Sequence, residues 1–148
     1  MKKKFLIVIA DYYEDISSGL LDSALKIIPT SNITKIIRVP GVFEIPVTIS
    51  KNIKKYDAFM ALGCVIKGET PHFDFISHAS TNAIMEISVI NKKPIGNGII
   101  TCLNKNQAMA RKNKGEEAAK AVISILSQKW KLILIQKITQ ELLLFKNY

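Results

Sequence analysis

The segment KGETPH (67–72) holds the side chains best suited to chemistry in this 148-residue chain. It follows an apolar run and precedes a helical pattern, so His72 is predicted to lie near a helix N-terminus. The free backbone N–H groups and the dipole at such an end attract anions, phosphate above all. An imidazole titrates near neutral pH and can therefore transfer protons. A histidine that only caps the helix fits this position equally well.

Three further segments could contact a ligand. In PGVFEIP (40–46), Glu44 could bind ligand hydroxyls, although a Glu that only complements a helix dipole is the simpler explanation. Tyr12 and Tyr13 follow the first apolar run and could stack on a heterocycle or simply pack. Arg111 opens the segment RKNKG (111–115), and a guanidinium suits bidentate phosphate binding. Short charge runs of this kind are more often solvated.

Several function classes are disfavoured by missing motifs. Cys64, His72, His78 and Cys102 lack CxxC or HxxxH-type spacing, so no metal site is expected. His78 is then predicted to be structural or on the surface, and both cysteines are predicted to be free buried thiols. The sequence has no GxGxxG fingerprint, no phosphate-binding P-loop and no nucleophile elbow, which disfavours a dehydrogenase, a kinase and a serine hydrolase.

The net charge of +9 suggests a nucleic-acid partner, but its composition weakens that interpretation. Among 21 basic residues only Arg38 and Arg111 are arginines, whereas base and phosphate recognition relies on arginine. A lysine-rich solvated surface that gathers anionic substrates is favoured over an RNA-binding protein. No apolar run reaches the roughly 18–20 residues of a membrane span, and no signal-peptide cleavage site follows the first one. We therefore expect a soluble cytoplasmic protein with neither nucleic-acid nor membrane partners.

The elements that must position these residues alternate between strands and helices. Apolar runs predict strands over 4–10, 33–39, 57–66 and 95–101. Helical spacing predicts helices over 15–28, from about 44 to 55, and over 73–91, followed by a last long helix that has RKNKG early in it. In the helix over 73–91 the face predicted to be apolar consists of Ile76, Ala79, Ala83, Ile87 and Ile90.

Strands that are apolar throughout, separated by amphipathic helices, predict an α/β fold. We expect a three-layer sandwich with a four-stranded parallel sheet of flavodoxin-like order 2-1-3-4 and helices on both faces. A single domain over 1–130 and a C-terminal extension over 131–148, of open function, are predicted. Ligands bind outside the carboxyl ends of the strands in such sheets. Those ends bring together the loops 11–14, 40–44 and 67–72 and the segment after Thr101.

Four stretches, in this order and spacing, resemble the 6,7-dimethyl-8-ribityllumazine synthase family. They are PGVFEIP (40–46), ALGCVIKGETPHFDFI (61–76), PIGNGIIT (94–101) and NKGEEAA (113–119). The similarity runs from about Lys4 to Trp130. It implies a transferase of riboflavin biosynthesis that needs no metal or organic cofactor. The implied reaction joins 5-amino-6-(D-ribitylamino)uracil to 3,4-dihydroxy-2-butanone 4-phosphate and yields 6,7-dimethyl-8-ribityllumazine, phosphate and water.

The resemblance also implies roles for individual residues. His72 would be the catalytic acid–base group. The pyrimidine and ribityl group would be bound by Tyr12, Val42, Phe43, Glu44, Val65, Ile66 and Asn97. The phosphate would be bound by Glu69, Thr70, Arg111 and Lys114. The family's site lies between adjacent subunits, which implies that Asn97, Arg111 and Lys114 reach across from a neighbour.

Two departures from the family pattern affect these expectations. Asn97 stands where many relatives have an aromatic residue, as in one subgroup, so stacking from that side is lost. The segment from Arg111 to Lys114 is several residues shorter than in many relatives, which favours a homopentamer or a decamer over a 60-subunit shell. Riboflavin synthase is a further expected partner. A non-catalytic flavin- or lumazine-binding protein of the same fold is the alternative.

Overall fold

The computed structural model describes residues 2–145, with side chains described outside 129–133 and 145. Four parallel strands form one sheet in the order β2-β1-β3-β4. They are β1 (Lys4–Ala10), β2 (Ile33–Val39), β3 (Ala58–Ile66) and β4 (Ile95–Cys102). The predicted sheet order is confirmed.

Helices cover both faces of this sheet. The α-helices are α1 (Glu14–Leu25), α2 (Ile45–Asn52), α3 (His72–Asn91), α4 (Lys105–Ala110) and α5 (Lys114–Phe145), and a 3₁₀ turn at Val42–Glu44 precedes α2. α1 and α5 pack on one face, and α2 and α3 pack on the other. The predicted three-layer α/β sandwich is confirmed. Among the described residues, no helix combines the length and the apolar character needed to cross a membrane.

The two central strands are apolar because both of their faces are buried. In β1, Phe5, Ile7 and Ile9 pack toward α1 and α5, while Leu6 and Val8 pack toward α2 and α3. Successive side chains of a strand point to opposite faces, so a strand between two helical layers must be apolar at every position. This double burial fixes the strands and holds their carboxyl ends at one edge.

Two predicted helices are shorter in the structure. α1 ends at Leu25 instead of residue 28, because Ile27 and Ile28 form a turn in which both donate backbone N–H bonds to Ala24. Pro29 disfavours helical geometry at the residue before it. The predicted helix over 44–55 is a 3₁₀ turn followed by α2, which begins just before Pro46 and ends at Asn52.

The short helix α4 was not predicted, and it corrects the expected position of Arg111. Asn104 caps α4 by accepting a bond from the Gln107 backbone N–H at 2.9 Å, and the Gln107 side chain accepts one from the Leu103 N–H at 2.8 Å. These two side-chain bonds, one to a helix N–H and one to the N–H before the cap, mark a separate helix start. Arg111 therefore lies at the C-terminal end of α4, not early in the last helix, whose first residue is Lys114.

The buried side of α3 also differs from the predicted face. Ser80 and Ile84 are its buried residues, whereas Ala79 and Ile90 are exposed. The sequence pattern passed over Ser80 because it is polar. Its hydroxyl donates to the Ile76 carbonyl at 2.6 Å, which satisfies it within the helix and allows its burial.

A glycine on the first turn of α5 permits the close approach of α5 to α1. A Cβ at Gly115 would collide with the Leu20 carbonyl and lie 2.7 Å from the Ser23 hydroxyl oxygen. Gly115→Ala is therefore expected to lower the free energy of unfolding by about 1–3 kcal/mol, as overpacking does. Urea unfolding followed by circular dichroism measures this. Gly68→Ala, which would meet no heavy atom within 4 Å, is the matched control. Equal stability of the two variants would contradict the close packing.

Candidate active site

A cleft of about 610 Å³ opens at the carboxyl edge of the sheet. It lies between the ends of β1, β2 and β3 and the start of α3. Seven predicted site residues line it: Tyr12, Val42, Phe43, Glu44, Val65, Ile66 and His72. Fold topology thus brings residues from three separate loops to one concave surface, where α/β sheets bind ligands.

The first wall is the pair of tyrosines after β1. The Tyr12 ring is 74% exposed and meets the Tyr13 ring edge-on, with ring centroids 5.0 Å apart. Asp11, the residue before these tyrosines, is hydrogen-bonded to β2: its backbone N–H donates to the Val39 carbonyl at 2.9 Å. Arg38 also donates to the Asp11 carboxylate at 2.6 Å. An exposed aromatic face is thereby presented to the cleft.

The second wall is the 3₁₀ turn after β2. Val42 is buried and packs against Gly63 of β3, where a Cβ would clash with the Val42 side chain. Val42 thereby anchors the turn to the sheet. The neighbouring Phe43 points away from the core and is 62% exposed. The Glu44 carboxylate lies beside Gly41, 3.1 Å from where a Cβ on that glycine would stand. The turn therefore presents an aromatic ring, a carboxylate and backbone groups together.

The floor is formed by the end of β3 and the first turns of α3. Val65 and Ile66 are partly exposed at the strand end, and His72 is the exposed first residue of α3. The N-cap of α3 is Pro71, so His72 is not the capping residue that the sequence left as an alternative. Its imidazole faces the cleft at the positive end of the α3 dipole, where the Asp74 N–H already donates to the Pro71 carbonyl at 3.0 Å. This position suits proton transfer next to an anion.

Five predicted site residues do not line this cleft within the chain: Glu69, Thr70, Asn97, Arg111 and Lys114. Glu69 and Thr70 are exposed in the loop before α3. The side chains of the other three bond locally. Asn97 accepts from the Ile99 N–H at 3.1 Å, Arg111 donates to the Gln107 carbonyl at 3.0 Å, and Lys114 pairs with Glu117 at 2.7 Å.

Five cleft residues were not in the predicted set: Tyr13, Pro40, Gly41, Cys64 and Ile76. Ile76 follows His72 by four residues, and this helical spacing places both on one side of α3. Pro40 and Gly41 belong to a segment that the sequence already singled out. Nothing in the sequence distinguishes Cys64 from the other buried residues of β3, because its contact with the cleft depends on which part of the strand the cleft reaches.

The remaining histidine and the cysteines lie as predicted. His78 is exposed on α3 and outside the cleft, and both cysteines are free and buried. Burial, with a smaller contribution from the neighbouring Cys102, raises the pKa of the Cys64 thiol to about 12. Burial also raises the pKa of Cys102. Within residues 2–145, no three His, Cys, Asp or Glu side chains are grouped so that they could hold a metal ion.

The raised pKa of Cys64 predicts how stability depends on pH. Above about pH 9 the unfolded chain loses its thiol protons while folded Cys64 keeps its own, so the folded state binds more protons. The free energy of unfolding should therefore fall as pH rises from 9 toward 12. Urea unfolding of the wild type and of Cys64→Ser over this range measures the effect. A decline of equal slope in both proteins would contradict the assignment to Cys64.

Comparison with known proteins shows which family the chain belongs to. A sequence model of 6,7-dimethyl-8-ribityllumazine synthase matches residues 2–129. The chain is similar to 6,7-dimethyl-8-ribityllumazine synthase 1 of Rhodopseudomonas palustris, with 42% identity over 142 residues that cover 87% of each chain. It is 41% identical over 144 residues to the 6,7-dimethyl-8-ribityllumazine synthase of Agrobacterium fabrum, covering 88% of this chain and 97% of that one.

A third relative has a similar identity to this chain. The 6,7-dimethyl-8-ribityllumazine synthase of Cutibacterium acnes is 41% identical over 133 residues, which cover 84% of this chain and 80% of that one. These matches span the whole sheet and every segment that lines the cleft. The chain belongs to the 6,7-dimethyl-8-ribityllumazine synthase family.

Proposed function

We propose that this chain catalyses the penultimate step of riboflavin biosynthesis. The 5-amino group of 5-amino-6-(D-ribitylamino)uracil condenses with 3,4-dihydroxy-2-butanone 4-phosphate to an imine, with loss of water. Phosphate is then eliminated, and ring closure with loss of a second water gives 6,7-dimethyl-8-ribityllumazine. Family membership supports the reaction, and one structural observation supports the site: three loops bring an aromatic face, a carboxylate and His72 into one cleft.

In this proposal the heterocycle lies between the two walls of the cleft. Tyr12 stacks on the pyrimidine ring, whose edges meet Val65 and Ile66. The backbone of Val42 and Phe43 and the carboxylate of Glu44 hold the ribityl chain. The exposure of Tyr12 and the anchoring of the turn by Val42 support this placement. Positioning two substrates in one cleft supplies much of the rate enhancement of a condensation.

His72 moves the protons of the reaction. It accepts a proton from the attacking amine and returns one to the leaving oxygen, as a neutral-pH acid–base group can. The positive end of the α3 dipole, with Glu69 and Thr70 beside it, holds the phosphorylated substrate. No cofactor is required, because amine, carbonyl and leaving phosphate are all supplied by the substrates.

A second copy of the chain completes the site by supplying Asn97 to the pyrimidine and ribityl group and Arg111 and Lys114 to the phosphate. Two observations support this. These three residues lie outside the chain's own cleft, and their side chains bond locally. In addition, α3 exposes Phe75, Met85 and Val89 on the side opposite the buried Ile84, and large apolar side chains grouped on one side indicate a protein interface.

The assembly we propose is a homopentamer, with a decamer as the next candidate. Sedimentation velocity distinguishes these states from a monomer of 16.5 kDa. We further propose that the enzyme works in the cytoplasm and passes its product to riboflavin synthase. A sedimenting monomer that is fully active would contradict the shared site.

The decisive experiment is a two-substrate assay. The purified chain, mixed with both substrates and without added metal ions or nucleotides, is expected to form a fluorescent lumazine and release phosphate in equal amounts. Omitting the butanone phosphate is the control for carried-over product. A protein that binds lumazine or flavin but never turns over would overturn the proposal in favour of a storage role.

A further inference from the structure

Tyr12 depends on Tyr13 for its orientation. The Tyr12 ring is 74% exposed, so the protein core holds little of its surface. Among the described residues, its one aromatic neighbour is Tyr13, at a centroid distance of 5.0 Å and an interplanar angle of 73°. An exposed ring without such a neighbour samples several rotamers, and fixing it costs conformational entropy.

Tyr13 itself is firmly held. Its ring packs against the core cluster formed by α1, α5 and the sheet. Its backbone carbonyl accepts N–H bonds from Ile16 at 3.1 Å and Ser17 at 2.9 Å, because Tyr13 is the N-cap of α1. The phenol stays neutral, since burial raises its pKa above the ordinary value. Tyr13 is thus held in place by these contacts, whereas the neighbouring Tyr12 is largely exposed.

We infer that Tyr13 is a positioning residue that holds the Tyr12 ring in the plane required for stacking on the pyrimidine substrate. Edge-to-face pairs prefer a defined angle, so a fixed Tyr13 restricts the plane of Tyr12. This inference deepens the proposed function and rests on it, because it takes Tyr12 as the stacking surface. Tyr13 is thereby proposed to affect the reaction only by orienting Tyr12, and not by contacting the reacting atoms.

A double-mutant cycle tests this relation. Tyr13→Leu keeps an apolar anchor but removes the ring, and should raise KM for the pyrimidine roughly 3- to 10-fold, the equivalent of one aromatic pair. KM for the butanone phosphate should stay within about twofold. Tyr13→Phe keeps the ring and should restore wild-type kinetics. In a Tyr12→Leu background, Tyr13→Leu should have no further effect, because the two residues act as one unit.

Two results would overturn the inference. Additive effects of Tyr12→Leu and Tyr13→Leu would show that Tyr13 acts independently of Tyr12. Equal losses for both substrates, accompanied by a lower melting temperature, would show a merely structural role. If the wild type forms no lumazine, the proposed function fails; if it is active but Tyr13→Leu is kinetically silent, only this inference fails.

A second measurement does not depend on activity. NMR relaxation of ring-labelled tyrosines, with the Tyr12 signal assigned from Tyr12→Phe, reports how ordered this ring is on the ps–ns timescale. The Tyr12 order parameter should fall in Tyr13→Leu and stay at the wild-type value in Tyr13→Phe. An unchanged order parameter in Tyr13→Leu would overturn the inference whatever the protein's activity.

Discussion

His72→Gln should slow turnover by roughly 10²- to 10⁴-fold, the range that a positioned acid–base group contributes. Glutamine keeps much of the size and hydrogen-bonding capacity of histidine but cannot carry a proton at neutral pH. KM for both substrates should change little, because the walls of the cleft are built by other residues. Single-turnover formation of the lumazine, followed by fluorescence, measures the chemical step directly.

The chain supplies its own control for this experiment. His78 is the only other histidine and lies exposed on the same helix, outside the cleft. His78→Gln should therefore retain the wild-type rate, which separates a local effect from a general effect on α3. Equal rates for His72→Gln and the wild type would remove His72 from the mechanism.

Arg111→Ala should raise KM for 3,4-dihydroxy-2-butanone 4-phosphate by roughly 10- to 100-fold, the equivalent of a lost hydrogen-bonded charge. KM for the pyrimidine should stay nearly unchanged, because Arg111 is proposed to contact only the phosphate. Steady-state kinetics with one substrate varied at a time resolve the two constants. Equal effects on both substrates would contradict the phosphate assignment.

Two companion variants refine this prediction. Arg111→Lys keeps the charge but loses the planar fork, so it should recover only part of the affinity. Lys105→Ala removes a positive charge from the exposed start of the same short helix and should leave both KM values nearly unchanged. Loss of substrate affinity in Lys105→Ala would indicate that general electrostatic attraction, and not Arg111, is responsible.

His72→Gln and Arg111→Ala, used together, test whether the site is shared between copies. If the cleft of one copy uses Arg111 of another, mixing unfolded His72→Gln and Arg111→Ala chains and refolding them should restore activity. Some clefts in the mixed assembly then combine a wild-type His72 with a wild-type Arg111. Mixing the intact variants without refolding is the control. Failure of the refolded mixture to exceed its components would contradict a site between copies.

The sequence by itself determined the sheet and the segments that carry the chemistry. β1 and β2 lie at their predicted bounds, and β3 and β4 differ by one residue. The central strands β1 and β3 leave an uninterrupted apolar run because they are buried on both faces. The parallel topology follows from the alternation with helices, and it alone sends 11–14, 40–44 and 67–72 to one edge. Seven of the predicted residues meet in the cleft for this reason.

Tertiary structure alone decided how those segments meet. α4 is an exception, because it begins at local side-chain bonds of Asn104 and Gln107 that were not predicted, and it leaves Arg111 outside the last helix. Ser80 is buried because its hydroxyl is satisfied by Ile76, a contact that hydrophobic periodicity does not register. The inclusion of Cys64 in the cleft depends on distances between elements far apart in sequence. The edge-on angle between the adjacent Tyr12 and Tyr13 rings depends on the packing of Tyr13 against the core. Local patterns encode which face of an element is apolar, whereas side-chain contacts are set only when the layers pack.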